Sequence, residues 1–176
     1  MSGSLQLVEF THDQLVEIAA KWLRKKHHTI ITEMVTGAGE VPDAIGWGSV
    51  NQSTLIECKI SRSDFRADAK KFFRRYPENG MGQKRYYMAA AGVLDAADML
   101  AGWGLLEVKP NGKVRAVVKP EKQPANIDKE RCVLLSALRR IGNAGNVGGV
   151  SIKRYTFTTK GIATFGVVAE TSEAQA

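Results

Sequence analysis

An α/β fold, a mixed central sheet flanked by helices, is what this chain of 176 residues predicts, and three features of its sequence carry that expectation. Thr54 to Ile60, TLIECKI, is a nearly continuous apolar run of the kind found in a strand buried on both faces. Two segments, near residues 11–26 and 61–75, place their apolar residues at helical spacing. KRYYMAAA, from Lys84, follows the second of these as a returning strand, which a right-handed crossover would lay parallel to TLIECKI, while the segment ahead of Thr54 folds back antiparallel.

A chain of this length buries about two-thirds of its unfolded surface and folds unaided. Residues 1–142 read as one domain, and 143–176 as a glycine-rich linker, a small hairpin or arm and a disordered tail. The linker GNAGNVGG lacks the closing Gly-Lys-Ser or Gly-Lys-Thr of a phosphate loop. Cys58 and Cys132 lie in apolar patterns and are too few for a disulfide framework, which suits a reducing cytoplasm. Neither a leader-like N-terminus nor a run of about 18 apolar residues is visible, so no membrane partner is expected. With 25 Lys and Arg against 18 Asp and Glu, net +7, the chain favours a polyanionic partner through counterion release.

Thr11-x-x-Gln14 is a capping-box start, and Leu15, Ile18, Ala19, Trp22 and Leu23 make the apolar face of a first helix reaching about Lys26. Glu17 falls opposite that face as a solvated residue, and His27 and His28 read as loop residues. His28 to Val35 is a β-branched first strand, and the TGAGE turn leads into a second, VPDAIGW. The turn material from Gly48 to Ser53 returns the chain into TLIECKI. A second helix is expected from Ser61 to Arg75, with Phe65, Ala69, Phe72 and Phe73 inward and Arg66, Lys70, Lys71, Arg74 and Arg75 outward. In KRYYMAAA, Tyr86 and Tyr87 either stack on bases or divide between core and surface. Leu94 to Leu100 fits a short helix, GLLEVKPNGKVRAVV a hairpin turning through Asn111-Gly112 in type I′ geometry, and Ile127 to Ile141 a helix docked by Leu134, Leu135, Leu138 and Ile141.

The chemistry concentrates where the second strand meets the third. Side chains two apart on a strand share a face, so Glu57 and Lys59 project together. The short turn brings Asp43 beside Glu57. Two such carboxylates repel unless a proton or cation lies between them, and oxygen-only ligation suits Mg²⁺ or Mn²⁺. Lys59 is then placed to orient or deprotonate an attacking water and to offset charge on a phosphorane-like transition state. The bland alternative is a turn dipeptide beside a same-face ion pair. Glu33 and Glu40 flank the place; a solvated strand end is the first explanation of each, and of the two Glu33 is the one favoured as an auxiliary metal ligand. Arg62, Arg66, Lys70, Arg74 and Arg75, on the helix that follows, are the candidate nucleic-acid contacts, a solvated basic face being the plain alternative.

Pro42-Asp43 followed by Glu57-Cys58-Lys59 resembles the PD-(D/E)xK nuclease superfamily, and the run from WGSVNQSTLIECK through WGLLEVKPNGKVRAVVKP resembles an uncharacterised bacterial and phage branch of it. The resemblance implies a restriction-endonuclease-like α-β-β-β-α-β core, metal ligation by Asp43, Glu57 and the backbone carbonyl of Cys58, and a catalytic Lys59. The reading is a Mg²⁺- or Mn²⁺-dependent nuclease acting on nucleic acid, DNA foremost, with a homodimer open to it because a double-strand cut needs two active sites. The alternative is a nucleic-acid-binding or phage-borne inhibitor protein on the same fold that cleaves nothing.

Overall fold

The computed structural model describes residues 9–48 and 52–141, with the backbone of two short strands beyond them. The order is α1 (His12–Leu23), β1 (Thr29–Thr32), β2 (Ala44–Trp47), β3 (Ser53–Lys59), α2 (Arg62–Ala69), α3 (Phe72–Arg75), β4 (Lys84–Ala90), β5 (Gly104–Val108), β6 (Val114–Val118) and α4 (Ile127–Ile141). Strands β7 (Thr156–Phe157) and β8 (Ala163–Thr164) pair antiparallel. The rest of the expected linker, arm and tail, and residues 49–51 of the β2–β3 turn, lie outside the described residues.

The six main strands form a mixed sheet in sequential order, parallel at β3–β4 and β4–β5 and antiparallel elsewhere. Every residue of β3 is buried, as its composition demands. Ile56, Cys58 and Met88 face α1, whose Leu15, Val16, Ala19 and Leu23 cover them. Leu55, Tyr87 and Leu105 face Phe65 of α2 and Val133 of α4 on the other side. The Thr11–Gln14 capping box starts α1, and Glu17 is exposed beside Lys21. No helix among the described residues is long and apolar enough to cross a membrane.

Four expectations are corrected. The helix after β3 is broken: α2 ends at Ala69 and α3 restarts at Phe72, which turns Arg74 inward. The docking face of α4 is Glu130, Val133 and Ser136, leaving Leu135, Leu138 and Ile141 exposed; Glu130 accepts hydrogen bonds from Trp47 and Ser53, which fixes the helix's rotation. Tyr86 and Tyr87 are both buried, on opposite faces of the sheet, against Trp22 and Trp103. At the β5–β6 turn Gly112 has φ +74° while Asn111 does not turn left-handed, so Lys109-Pro110-Asn111-Gly112 is a type I arrangement with proline second, closed by Gly112 N–H donating to Lys109 at 2.8 Å.

Candidate metal and phosphodiester site

The β2–β3 register sets Ala44 against Ile56, so Asp43, one residue before β2, comes opposite Glu57. Asp43 sits at the sheet's edge. Its Oδ2 accepts from the Cys58 backbone N–H at 2.7 Å and lies 3.4 Å from His12 Nε2 on α1. His12 Nδ1 lies 3.6 Å from the half-exposed Glu33 side chain, and the Glu33 backbone N–H donates to the Pro42 and Asp43 carbonyls at 3.1 and 3.3 Å. Glu33 has φ +47°, left-handed backbone that costs a non-glycine residue about 1 kcal/mol. His12, Asp13 and Glu33 present ligand atoms within 4.8 Å of one another, an exposed grouping beside Asp43.

Glu57 and Lys59 project together from β3, 3.3 Å apart, with only 2 % and 4 % of their surfaces exposed. Arg74 meets them from α3. Its Nη2 stands 2.8 Å from Glu57 Oε1, its Nη1 donates to Glu40 at 2.6 Å and its Nε donates to Asp68 at 2.8 Å. Asp68 also accepts from the Tyr87 hydroxyl at 2.9 Å, pairs with Lys71 at 2.7 Å and stands 3.9 Å from Lys59. Glu40 accepts the Met81 backbone N–H at 2.8 Å.

Burial would raise the Asp68 carboxyl, but Arg74, Lys59 and Lys71 hold it well below the usual carboxylate range. Glu57 goes the other way: burial, with a contribution from Asp43, pushes it up to about 7 against the pull of Arg74 and Lys59. Its Oε1, although close to Arg74, lies off the guanidinium's donor direction and has no hydrogen-bond partner. Burial would lower the Lys59 ammonium, yet Glu57, Asp68 and Asp43 outweigh it and hold Lys59 above the ordinary lysine range. Lys59 is therefore a fixed cation at neutral pH.

Asp43 thus stands opposite Glu57 in register, and Lys59 shares a face and an ion pair with Glu57. Cys58 supplies its N–H to Asp43 and buries its thiol in the α1-side core. Of the expected phosphate contacts, Arg66, Lys70 and Arg75 are exposed. Arg62 is committed to Asp95 and Asp98 and donates to the Val93 carbonyl at 3.1 Å. Arg74 is not a surface contact at all; with 6 % exposure it is the internal counter-ion of three carboxylates. Sequence reasoning missed Asp68, whose signal was an acid three residues after Phe65 and so on the buried face of α2, and His12. Lys59, Ile60 and Ser61, with Phe10, Ala90 and Gly92, wall a cavity of about 350 Å³ at the C-terminal ends of the parallel strands β3 and β4, where open α/β sheets usually take ligands.

No protein-family model and no curated protein matches the chain. A solved structure, that of a protein of unknown function from Silicibacter pomeroyi, is similar in fold: TM-score 0.57 and 25% identity over 78% of this chain and 93% of that one.

Proposed function

We propose that this protein is a metal-dependent nuclease that hydrolyses phosphodiester bonds, with DNA as its substrate. One observation carries the reading: the antiparallel register sets Asp43 opposite Glu57, with Lys59 on the same face, where the parallel strand β3 ends. The element order α1-β1-β2-β3-α2-α3-β4 supports the reading, since it leaves room for the core that the sequence resemblance implies.

The residues fit a hard divalent cation in donor type: Asp43 and Glu57 are carboxylates opposite one another in register, and Glu57 Oε1, although 2.8 Å from Arg74 Nη2, accepts no hydrogen bond there. Asp43 and Glu57, with the Cys58 carbonyl by resemblance, would hold Mg²⁺ or Mn²⁺, which when bound supplies Lewis-acid polarisation of phosphoryl oxygens and a more acidic water. Lys59, held above the ordinary lysine range by Glu57, Asp68 and Asp43 in the metal-free protein, orients the attacking water and offsets negative charge on the phosphoryl group. Asp68 and Tyr87 hold the Lys59 and Arg74 side chains in place. Arg66, Lys70 and Arg75 contact the strand backbone without reading its sequence.

A second reading, a nucleic-acid binder that cleaves nothing, is favoured by one feature: Arg74 already occupies the inner side of Glu57. Cleavage of labelled duplex, single-stranded, flap and four-way DNA in Mg²⁺ or Mn²⁺ separates the two. Cutting lost in Asp43→Asn and lowered by roughly 10² in Lys59→Ala supports the nuclease. Tight binding with no cutting in either ion leaves the binder.

A further inference from the structure

Helix α3 turns one of its two arginines inside. Arg74 points into the site, whereas Phe72, which opens the helix, and Tyr76, the extended residue that ends it, are 62% and 49% exposed. Their ring centroids are 4.8 Å apart, tilted by 39°. Two adjacent aromatic rings in water forgo the burial that normally stabilises such side chains. Exposed cations surround them: Lys71 is tied to Asp68, but Lys70, Arg75 and the nearby Arg66 are in no ion pair among the described residues.

We propose that Phe72 and Tyr76, with Lys70 and Arg75, form a stacking platform for an unpaired stretch of DNA. Base faces stack on the rings while the cations meet the flanking phosphates, the pairing of aromatic and basic groups used for single strands. A duplex cannot use it, since paired bases keep their faces covered by their neighbours. Charge complementarity selects this occupant over a protein surface: Lys70 and Arg75 are exposed close in sequence to the two rings. Arg74, between the two rings in sequence, anchors the same short element to Glu57 at 2.8 Å, so the rings stand on the outer surface of an element whose inner surface bounds the candidate site. The platform deepens the nuclease reading, and in calling the strand a substrate it rests on it: the substrate class becomes single-stranded or locally opened DNA.

The test is fluorescence anisotropy in EDTA, which needs no catalysis. The probes are a labelled oligo(dT) of about 15 nucleotides, an abasic strand of equal length, a duplex, and oligo(rU). The expected result is that wild type prefers oligo(dT) to the abasic strand and to duplex. Phe72→Ala with Tyr76→Ala should cut oligo(dT) affinity by about tenfold or more without changing the melting temperature, and Phe72→Trp should retain it. Equal affinity for abasic strand and oligo(dT), or for duplex and oligo(dT), overturns the platform. Tighter oligo(rU) binding overturns its assignment to DNA. A double variant that binds DNA normally but changes oligomeric state makes the rings a protein interface and overturns it as well. Ring-dependent binding without cleavage in Mn²⁺ sinks the nuclease reading and leaves the platform standing; Asp43-dependent cleavage indifferent to the rings does the reverse.

Discussion

The two ends of β3 each bury a carboxylate, and they bury it differently. At the entry end, Glu130 accepts neutral donors at good distances: Trp47 Nε1 at 2.9 Å, Ser53 Oγ at 2.8 Å and the Gly82 N–H at 2.9 Å. At the exit end, Glu57 is surrounded by Arg74, Lys59, Asp68 and Asp43, keeps one oxygen without a donor, and is pushed up to about 7. Neutral donors satisfy an acceptor and pin two elements together without demanding anything further. A ring of formal charges that leaves one oxygen unsatisfied is costly unless something else is to bind there. The difference separates a carboxylate that holds the fold from one that the proposed chemistry uses.

The largest expected effect follows directly. Glu57→Gln should lower metal-dependent cleavage by roughly 10³-fold or more, because the ion loses a charged ligand, while Glu130→Gln should leave turnover per folded molecule nearly unchanged. Single-turnover rates at saturating enzyme measure both. If the two variants lose activity alike, the ends of β3 are not functionally distinct and the comparison fails.

Stability should divide the ends in the opposite way. Removing a buried counter-ion strands the charges it served, so Arg74→Ala, which frees Glu40, Glu57 and Asp68, should cost about 3–5 kcal/mol. Glu130→Ala strands only neutral donors and should cost about 2–3 kcal/mol. Urea melts in EDTA measure the two; an Arg74→Ala cost below that of Glu130→Ala would mean the exit cluster is wetter than its burial implies.

How far the sequence could be read follows the same division. An uninterrupted apolar run makes β3 unmistakable, and a short turn before it forces Asp43 back beside Glu57, so the catalytic candidates were legible from local pattern alone. Arg74 was not, because two basic residues ending a helix ordinarily face water. It turns inward only because the chain breaks at Lys70 and Lys71 and because Glu40 and Asp68, from separate segments, are waiting for it. The face of α4 was misread for a like reason. Leucines at helical spacing suggest the buried stripe, but Glu130, reaching back to Trp47 and Ser53, rotates the helix so that Val133 and Ser136 pack instead. Patterns within one element survive inspection; partners far apart in sequence decide which face of it is buried.

The smallest effect is the most direct measure of the contrast, since it senses the unsatisfied charge of Glu57 without substrate. With metal removed, Glu57 keeps its proton in the folded protein up to about pH 7, whereas in the unfolded chain the group releases it in the ordinary carboxylate range. Over that interval the folded state binds the additional proton, so this group's contribution to stability is greatest at the acid end and is lost as pH rises through about 7, by at most about 1.4 kcal/mol per pH unit. Other groups titrate too. Burial lowers His27, which makes stability rise with pH below the ordinary histidine range, and the depressed Asp68 carboxyl adds stability that is lost only in stronger acid. The difference between wild type and Glu57→Gln cancels both, and that difference should move against wild type as pH climbs from 5 to 7.5 in EDTA. Saturating Mn²⁺ should reverse the trend, because the ion binds the deprotonated carboxylate and its affinity grows as the competing proton leaves. A difference that stays flat in EDTA would mean that Arg74 and Lys59 compensate Glu57 completely. The exit end of β3 would then be as self-sufficient as the entry end, with no charge left over for a metal to satisfy.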